Sequence, residues 1–313
     1  RSGWPAQNRT FRNRVSATAE DLRLSLAATA QEVEAELARL LPTAEDPRKP
    51  VLEAMRYASL GGGKRLRPFL LIGSAELFDV PHARSLRAAA AVEMVHCYSL
   101  VHDDLPAMDD SALRRGRPTV HMAFDEATAI LAGDGLLTEA FAVLADPATH
   151  PDADVRCRLL AALAQAAGVN GMVGGQAIDL SPVRHSLDIA GIENLQDLKT
   201  GALIVGSCRM GAQLGQAESR EESALVAYAR DLGLAFQIAD DLLDAEGTAS
   251  EIGKPVGQDA EHGKATFPGL LGARAARERA SELVISACAH LDIFGGKADS
   301  LRAAAKFALS RRS

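Results

Sequence analysis

The chain has 313 residues, 47% of them hydrophobic and 24% charged, enough apolar material for a large globular core. Its formal net charge of −7 opposes the phosphate backbone of duplexes, so no nucleic-acid partner is expected. Four cysteines, each more than fifty residues from the next, exclude a disulfide scaffold or a cysteine metal knuckle and fit a reducing cytoplasm.

The amino terminus, RSGWPAQNRTFRNRV, lacks the apolar core of a secretory signal. It also lacks an initiating Met, so residues 1–17 are expected to be a flexible, trimmed or tagged start. No composition break, linker or repeat divides 18–313, which reads as one domain. Aromatics are only 4% and no sustained apolar–polar alternation appears. Ala, Leu, Glu and Arg instead recur with helical spacing. The fold class predicted is all-α, a single-domain bundle of ten or more helices.

In chain order, helices are predicted over 18–40 and 50–60, followed by GGGKRLRP at 61–68. Three glycines there let the backbone approach an anion, and Lys64, Arg65 and Arg67 supply charge. The spacing is not that of a nucleotide P-loop. After a helix at 68–79 comes one at 83–105, an apolar run ending in DDLPAMDD, 103–110. On a regular helix Asp103 and Asp109 would point about 120° apart. Pro106 cannot continue a helix, so a kink is expected to return Asp109 toward Asp103. His96 precedes Asp103 by two turns on nearly the same face. Arg114 and Arg115 follow the acids at once.

Helices are next predicted over 120–131, 134–146, 152–167 and 170–180. The most apolar stretch, 130–145, is interrupted by Asp134 and Glu139, so no membrane span is expected. GGQAIDL sets Gln176 and Asp179 three apart on one face, suited either to support a site or to sit as structural polar groups. A helix over 193–215 carries LKTGALI with Lys199. One over 220–245 ends in DDLLD, where Asp240 and Asp244 share a face. The longest irregular stretch, 247–266, contains Lys254 and Lys264 and has the length of a functional lid. Helices at 268–291 and 298–310 close the chain.

Bare carboxylate pairs repel, and hard divalent cations relieve them. Mg2+ takes one or two carboxylates and completes its shell with water and substrate phosphate. A single DDxxD on a helix is an ordinary acidic cap; two, each preceded by apolar helix and flanked by cations, point to metal. Acids for Mg2+, cations for phosphate and apolar helices beneath them predict a substrate with a diphosphate head and an apolar tail.

These motifs, together with LRRGRPT, LAGDGLLT, FQIADDLLD, GKPVGQD and GKATFP, make the chain from about residue 20 onward resemble the trans-polyprenyl diphosphate synthases, most of all the bacterial farnesyl type. The resemblance implies helices around a deep central cavity, a homodimer, and condensation of isopentenyl diphosphate with an allylic diphosphate by ionisation, condensation and elimination. It implies Mg2+, three ions with diphosphate bound, held by Asp103, Asp109 and Asp240. Asp104, Asp241 and Asp244 would support them or act through water. By the same resemblance Arg114, Lys199 and Lys254 would contact the allylic diphosphate. Lys64, Arg67, His96 and Arg115 would hold isopentenyl diphosphate. Thr200 and Gln237 would turn oxygen dipoles to the cation, and Lys264 would close over substrate. Tyr98, with Ser99 beside it, would limit chain length, about 7.5 Å below Asp103 along the helix. Cys97 and Met94 read as core packing.

Geranylgeranyl diphosphate synthase is the neighbouring alternative, separated by product length. A terpene cyclase would not need the basic motif GGGKRLRP. The pair His102–Asp103 raises a His-Asp phosphohydrolase, which would need further histidines. A catalytically silent partner subunit would be expected to lose acids or basic motif, and here both are intact.

Overall fold

The computed structural model describes residues 19–246 and 265–310. Its helices are α1 (Ala19–Leu40), α2 (Lys49–Ser59), α3 (Leu66–Glu76), α4 (His82–Asp103), α5 (Val120–Ala123), α6 (Glu126–Ala145), α7 (Ala153–Ala167), α8 (Met172–Leu180) and α9 (Ile189–Gln196). They continue with α10 (Ala202–Leu214), α11 (Ser219–Glu246), α12 (Phe267–Leu271), α13 (Ala273–His290) and α14 (Asp299–Ser310). Among the described residues the sole strands are β1 (Leu113–Arg114) and β2 (Arg117–Pro118), a two-stranded antiparallel hairpin. The all-α expectation holds.

Helix α4 is the axis on which the site is hung. Ala88, Ala89, Ala90 and Ala91 are wholly buried, so α3 and α6 pack closely along it. Met94 and Cys97 are core residues, as expected. One apolar cluster gathers around α4, α6 and α7, and a second around α11, α13 and α14. Helix α10 packs against members of both halves, α3 and α7 on one side and α11 on the other. Aspartates start several helices: Asp125 caps α6 at Thr128 N (2.8 Å) and Asp188 caps α9 at Gly191 N (2.8 Å). Each such cap is worth about 1 kcal/mol.

Three boundaries differ from the sequence reading. The break expected near Gly133 lies instead at Phe124–Asp125, and α6 runs through Gly133. Glycine is needed there because a Cβ would stand 2.1 Å from His102 Nε2. The helix expected over 193–215 is three pieces: α9, a π-helical turn at Asp197–Gly201, and α10. The last long helix is interrupted at Gly272, whose φ of 81° favours glycine.

Candidate active site

Helix α4 ends at Asp103, three residues before Pro106, and the chain folds back as expected. Asp109 N–H donates to the Asp103 carbonyl at 2.9 Å, and Ser111 N–H to that of Asp104 at 3.2 Å. Burial raises the Asp103 carboxyl to about 6; Lys199 and Arg114 oppose the rise and Asp109 adds to it. Those influences place Asp103, Asp109, Lys199 and Arg114 in one neighbourhood. Asp104 turns the other way. It is 3% exposed and accepts both Arg114 Nε (2.8 Å) and Nη2 (2.7 Å), a bidentate pair that fastens the arginine hairpin to the end of α4.

The hairpin turn, Arg115–Gly116, has φ of 53° and 74°, the two positive angles of a type I′ turn. It carries Arg115 to the glycine loop, where its Nη1 donates to the Gly62 carbonyl. Gly62 and Gly63 have φ of 76° and 140°, so the loop is held in a shape that favours glycine. Lys64 is exposed on it. Arg65 departs from the expectation that it supplies charge to a ligand. It is buried, donates to Glu93 Oε1 at 2.6 Å and to the Ser59 carbonyl at 2.5 Å, and so anchors the loop to α4. Glu93 was legible as an acid inside the run AAAAVEMV, which must find a buried cation.

Arg67 keeps its Nε buried and without a partner among the described residues. Burial lowers its pKa, against the pull of Glu93, Cys97 and Asp240. Burial also holds His96 well below its ordinary pKa, with Arg67, Arg115, Arg65 and Arg114 pressing the same way. A neutral imidazole among arginines is a donor set that favours an anion. A cavity of about 60 Å3 opens between α2, α4 and the arginine hairpin, with Tyr57, Leu100, Asp104, Arg114 and Arg115 in its wall.

Across the site, the π-helical turn presents Lys199 and Thr200. Such turns concentrate at functional sites because the extra residue re-aims side chains. Gly175 of α8 makes the approach possible: a Cβ there would stand 2.3 Å from Lys199 N. Lys199 Nζ pairs with Asp179 Oδ2 at 2.6 Å, and Arg184 Nη1 with Asp179 Oδ1 at 2.7 Å. Gln176, one turn earlier on the same face as Asp179, has both amide atoms buried and unpartnered among the described residues. Helix α11 meets the π turn at Gly233, where a Cβ would touch Gly201 Cα at 3.4 Å. One turn on, Gln237 Nε2 donates to Asp241 Oδ1 at 2.9 Å, and Phe267 N–H donates to Asp241 Oδ2 at 3.2 Å.

A common plan joins the two acid motifs. In each adjacent pair the second acid, Asp104 or Asp241, is buried and tied to protein donors, which the sequence reading assigned to metal support. The first acid, Asp103 or Asp240, is partly exposed. Asp240 and Asp244 stand on one face of α11. Lys254 and Lys264 lie outside the described residues.

Among the described residues no three of His, Cys, Asp and Glu gather into a protein-only metal cage. The donor set nevertheless fits Mg2+, which is held by one or two carboxylates with substrate phosphate completing its shell. The orphaned Gln176 amide fits a ligand or its water shell as the missing partner. Tyr98 is 8% exposed, with its ring edge-on to His102 at 5.4 Å. His102 Nε2 lies 3.1 Å from the Ile130 carbonyl, so it packs on α6 instead of joining Asp103 as a metal-binding pair. Ser99 Oγ bonds the His96 carbonyl at 2.8 Å.

The chain is similar to known proteins over most of its length. The family model described as Polyprenyl synthetase matches residues 48–291. A farnesyl diphosphate synthase of Haemophilus influenzae is 44% identical over 271 residues, covering 86% of this chain and 91% of that one. A chloroplastic geranylgeranyl pyrophosphate synthase of Arabidopsis thaliana is 41% identical over 274 residues, 85% of this chain and 74% of that one. The crystal structure of a FPP/GFPP synthase from Zymomonas mobilis superposes with a TM-score of 0.84 at 46% identity, over 93% of this chain and 99% of that chain. The chain belongs to the polyprenyl synthetase family of prenyltransferases.

Proposed function

We propose that the protein condenses isopentenyl diphosphate with dimethylallyl and then geranyl diphosphate to give farnesyl diphosphate, a Mg2+-dependent synthase. The observation that carries this reading is the pairing of two anion places across one acidic rim. The charges of Lys199, Asp109 and Arg114 all act on the Asp103 carboxyl, and those of Arg67 and Arg115 act with burial to hold the His96 pKa down.

Asp103, Asp109 and Asp240 would hold the metal, three ions with diphosphate bound. When bound, Mg2+ supplies the Lewis-acid charge that makes diphosphate a leaving group. Lys199 and Arg114, with Lys254, hold the allylic diphosphate while its carbon–oxygen bond breaks. Thr200 and Gln237 turn oxygen dipoles to the carbocation, a fixed electrostatic contribution that grows toward the transition state. The Gln237 amide nitrogen is already committed to Asp241, which leaves the amide oxygen for that role. Lys64, Arg67, His96 and Arg115 hold isopentenyl diphosphate with its double bond toward the cation. The new carbon–carbon bond forms from that double bond, and the proton next to the resulting cation passes to the departed diphosphate. Lys264 closes over the substrates. Tyr98 and Ser99 stand below Asp103 as the floor of a central cavity that takes the growing chain.

The exposed apolar face of α5 and α6, with Met122, Ile130 and Leu131, supports a homodimer. That reading places the single domain 18–313 in the cytoplasm without a membrane span or nucleic acid. Incubation with Mg2+, dimethylallyl diphosphate and isopentenyl diphosphate is expected to yield a fifteen-carbon diphosphate, abolished by chelator and by Asp103→Ala. A twenty-carbon product would move the protein to the geranylgeranyl type with its chemistry intact; no condensation would overturn the reading.

A further inference from the structure

We propose that Arg184 is a positioning residue for the allylic diphosphate: by pairing with Asp179 it lets that carboxylate give up Lys199 to the substrate. The inference rests on the role given to Lys199 above and adds a residue outside every motif of the sequence.

The Asp179 carboxylate is shared between two cations, one on each oxygen. Lys199 Nζ is 2.6 Å from Oδ2 and Arg184 Nη1 is 2.7 Å from Oδ1. The same Nη1 lies 3.3 Å from the Asp179 carbonyl oxygen, so Arg184 grips both the side chain and the backbone of that residue. Exposure falls from 27% for the lysine side chain to 17% for the arginine and 9% for the aspartate. The acid is therefore the most enclosed of the three, and the lysine is the most exposed.

An allylic diphosphate competes with Asp179 for Lys199. Were Lys199 the sole partner, its departure would leave a nearly buried carboxylate uncompensated, which is a strongly unfavourable state. Asp179 would then hold the lysine back. Arg184 removes that obstacle, because the carboxylate keeps a full cationic partner after Lys199 has moved. Asp179 also keeps Lys199 extended toward the site before substrate arrives, so little side-chain freedom remains to be lost on binding. The short 3-10 helix at Pro182–Ser186 that carries Arg184 thus bears on substrate affinity from behind the lysine.

Steady-state kinetics with each substrate varied in turn tests this. Arg184→Ala is expected to raise the KM for dimethylallyl diphosphate by about threefold or more, the scale of a partly exposed ion pair, with the KM for isopentenyl diphosphate and kcat unchanged. Arg184→Lys, which keeps the charge, is expected to retain most of the affinity. Adding Asp179→Asn to Arg184→Ala is expected to bring the KM back down, since a neutral amide no longer holds Lys199. Calorimetric titration of inorganic diphosphate with Mg2+ reads the same order of affinities without turnover. An unchanged allylic KM in Arg184→Ala, or both KM values rising together with a loss of kcat, would overturn the proposal. Lys199→Ala separates the two readings: if it leaves the allylic KM unchanged, the role of Lys199 itself is wrong.

Discussion

At Asp103, binding capacity and stability pull in opposite directions. Burial lifts its carboxyl to about 6, while Lys199 and Arg114 only partly hold it down and Asp109 pushes it further up. A raised carboxyl pKa favours the folded state only while the group is protonated. That contribution is complete below the unfolded value of 3.8 and is lost as pH rises through about 6. Near neutral pH, without metal, the folded protein therefore carries an unfavourable charge worth about 1–3 kcal/mol. Asp103→Asn is expected to abolish condensation and yet raise Tm at pH 7 in chelator, by a margin that shrinks at pH 5. Thermal melts at the two pH values check it, and an unchanged or lowered Tm at pH 7 would count against the assignment. The meeting of Asp103 and Asp109 was legible in the sequence, because Pro106 leaves the chain no way to continue as helix. The opposite fates of Asp103 and Asp104, or of Arg65 and Arg67, were not. Adjacent like residues diverge according to which neighbour from elsewhere in the chain meets them, here Arg114 and Glu93.

At the scale of elements, α4 serves as both core strut and site wall. Its run of four buried alanines fixes it between α3 and α6, and the proposed floor residue Tyr98 stands on that packed helix. The buried ring packs edge-on against its own helix neighbour His102, whose Nε2 lies 3.1 Å from the Ile130 carbonyl. Tyr98→Ala would remove the ring without touching the acids one turn and more above it. The expected result is a shift of product from fifteen carbons toward longer chains with condensation retained, read by chromatography of the dephosphorylated products; an unchanged product length would reject the floor. Helix α4 itself could be read from apolar spacing and its proline stop. The π turn under Lys199 could not, since its extra residue is imposed by α8 and α11 packing against it at Gly175 and Gly233. Composition carries no signal for a register change of that kind. The same is true of Gly133, which reads as a helix break and instead serves as clearance for His102 inside a continuous α6.

For the whole molecule, α6 poses the remaining question of what covers its outer face. By length and composition it alone among the described helices could cross a membrane, yet only 44% of its most apolar stretch is buried inside the chain. Ile130 and Leu131 are 45% and 53% exposed, and Met122 on the preceding turn is 58% exposed. Asp134, exposed in the midst of this face, argues against hydrocarbon as its neighbour, because an unpaired carboxylate within a bilayer is strongly disfavoured. A second copy of the chain suits it better. Two-fold pairing would bring the same apolar patch to itself and leave polar rims to water. Leu131→Glu places a charge at the centre of such a patch, and its side chain belongs to none of the groups assigned to substrate. The wild-type protein is expected to run as a dimer in light scattering at micromolar concentration, and Leu131→Glu as a monomer with its helical content intact by circular dichroism. A wild-type monomer would reject the pairing, and a variant that stays dimeric would move the interface off α6.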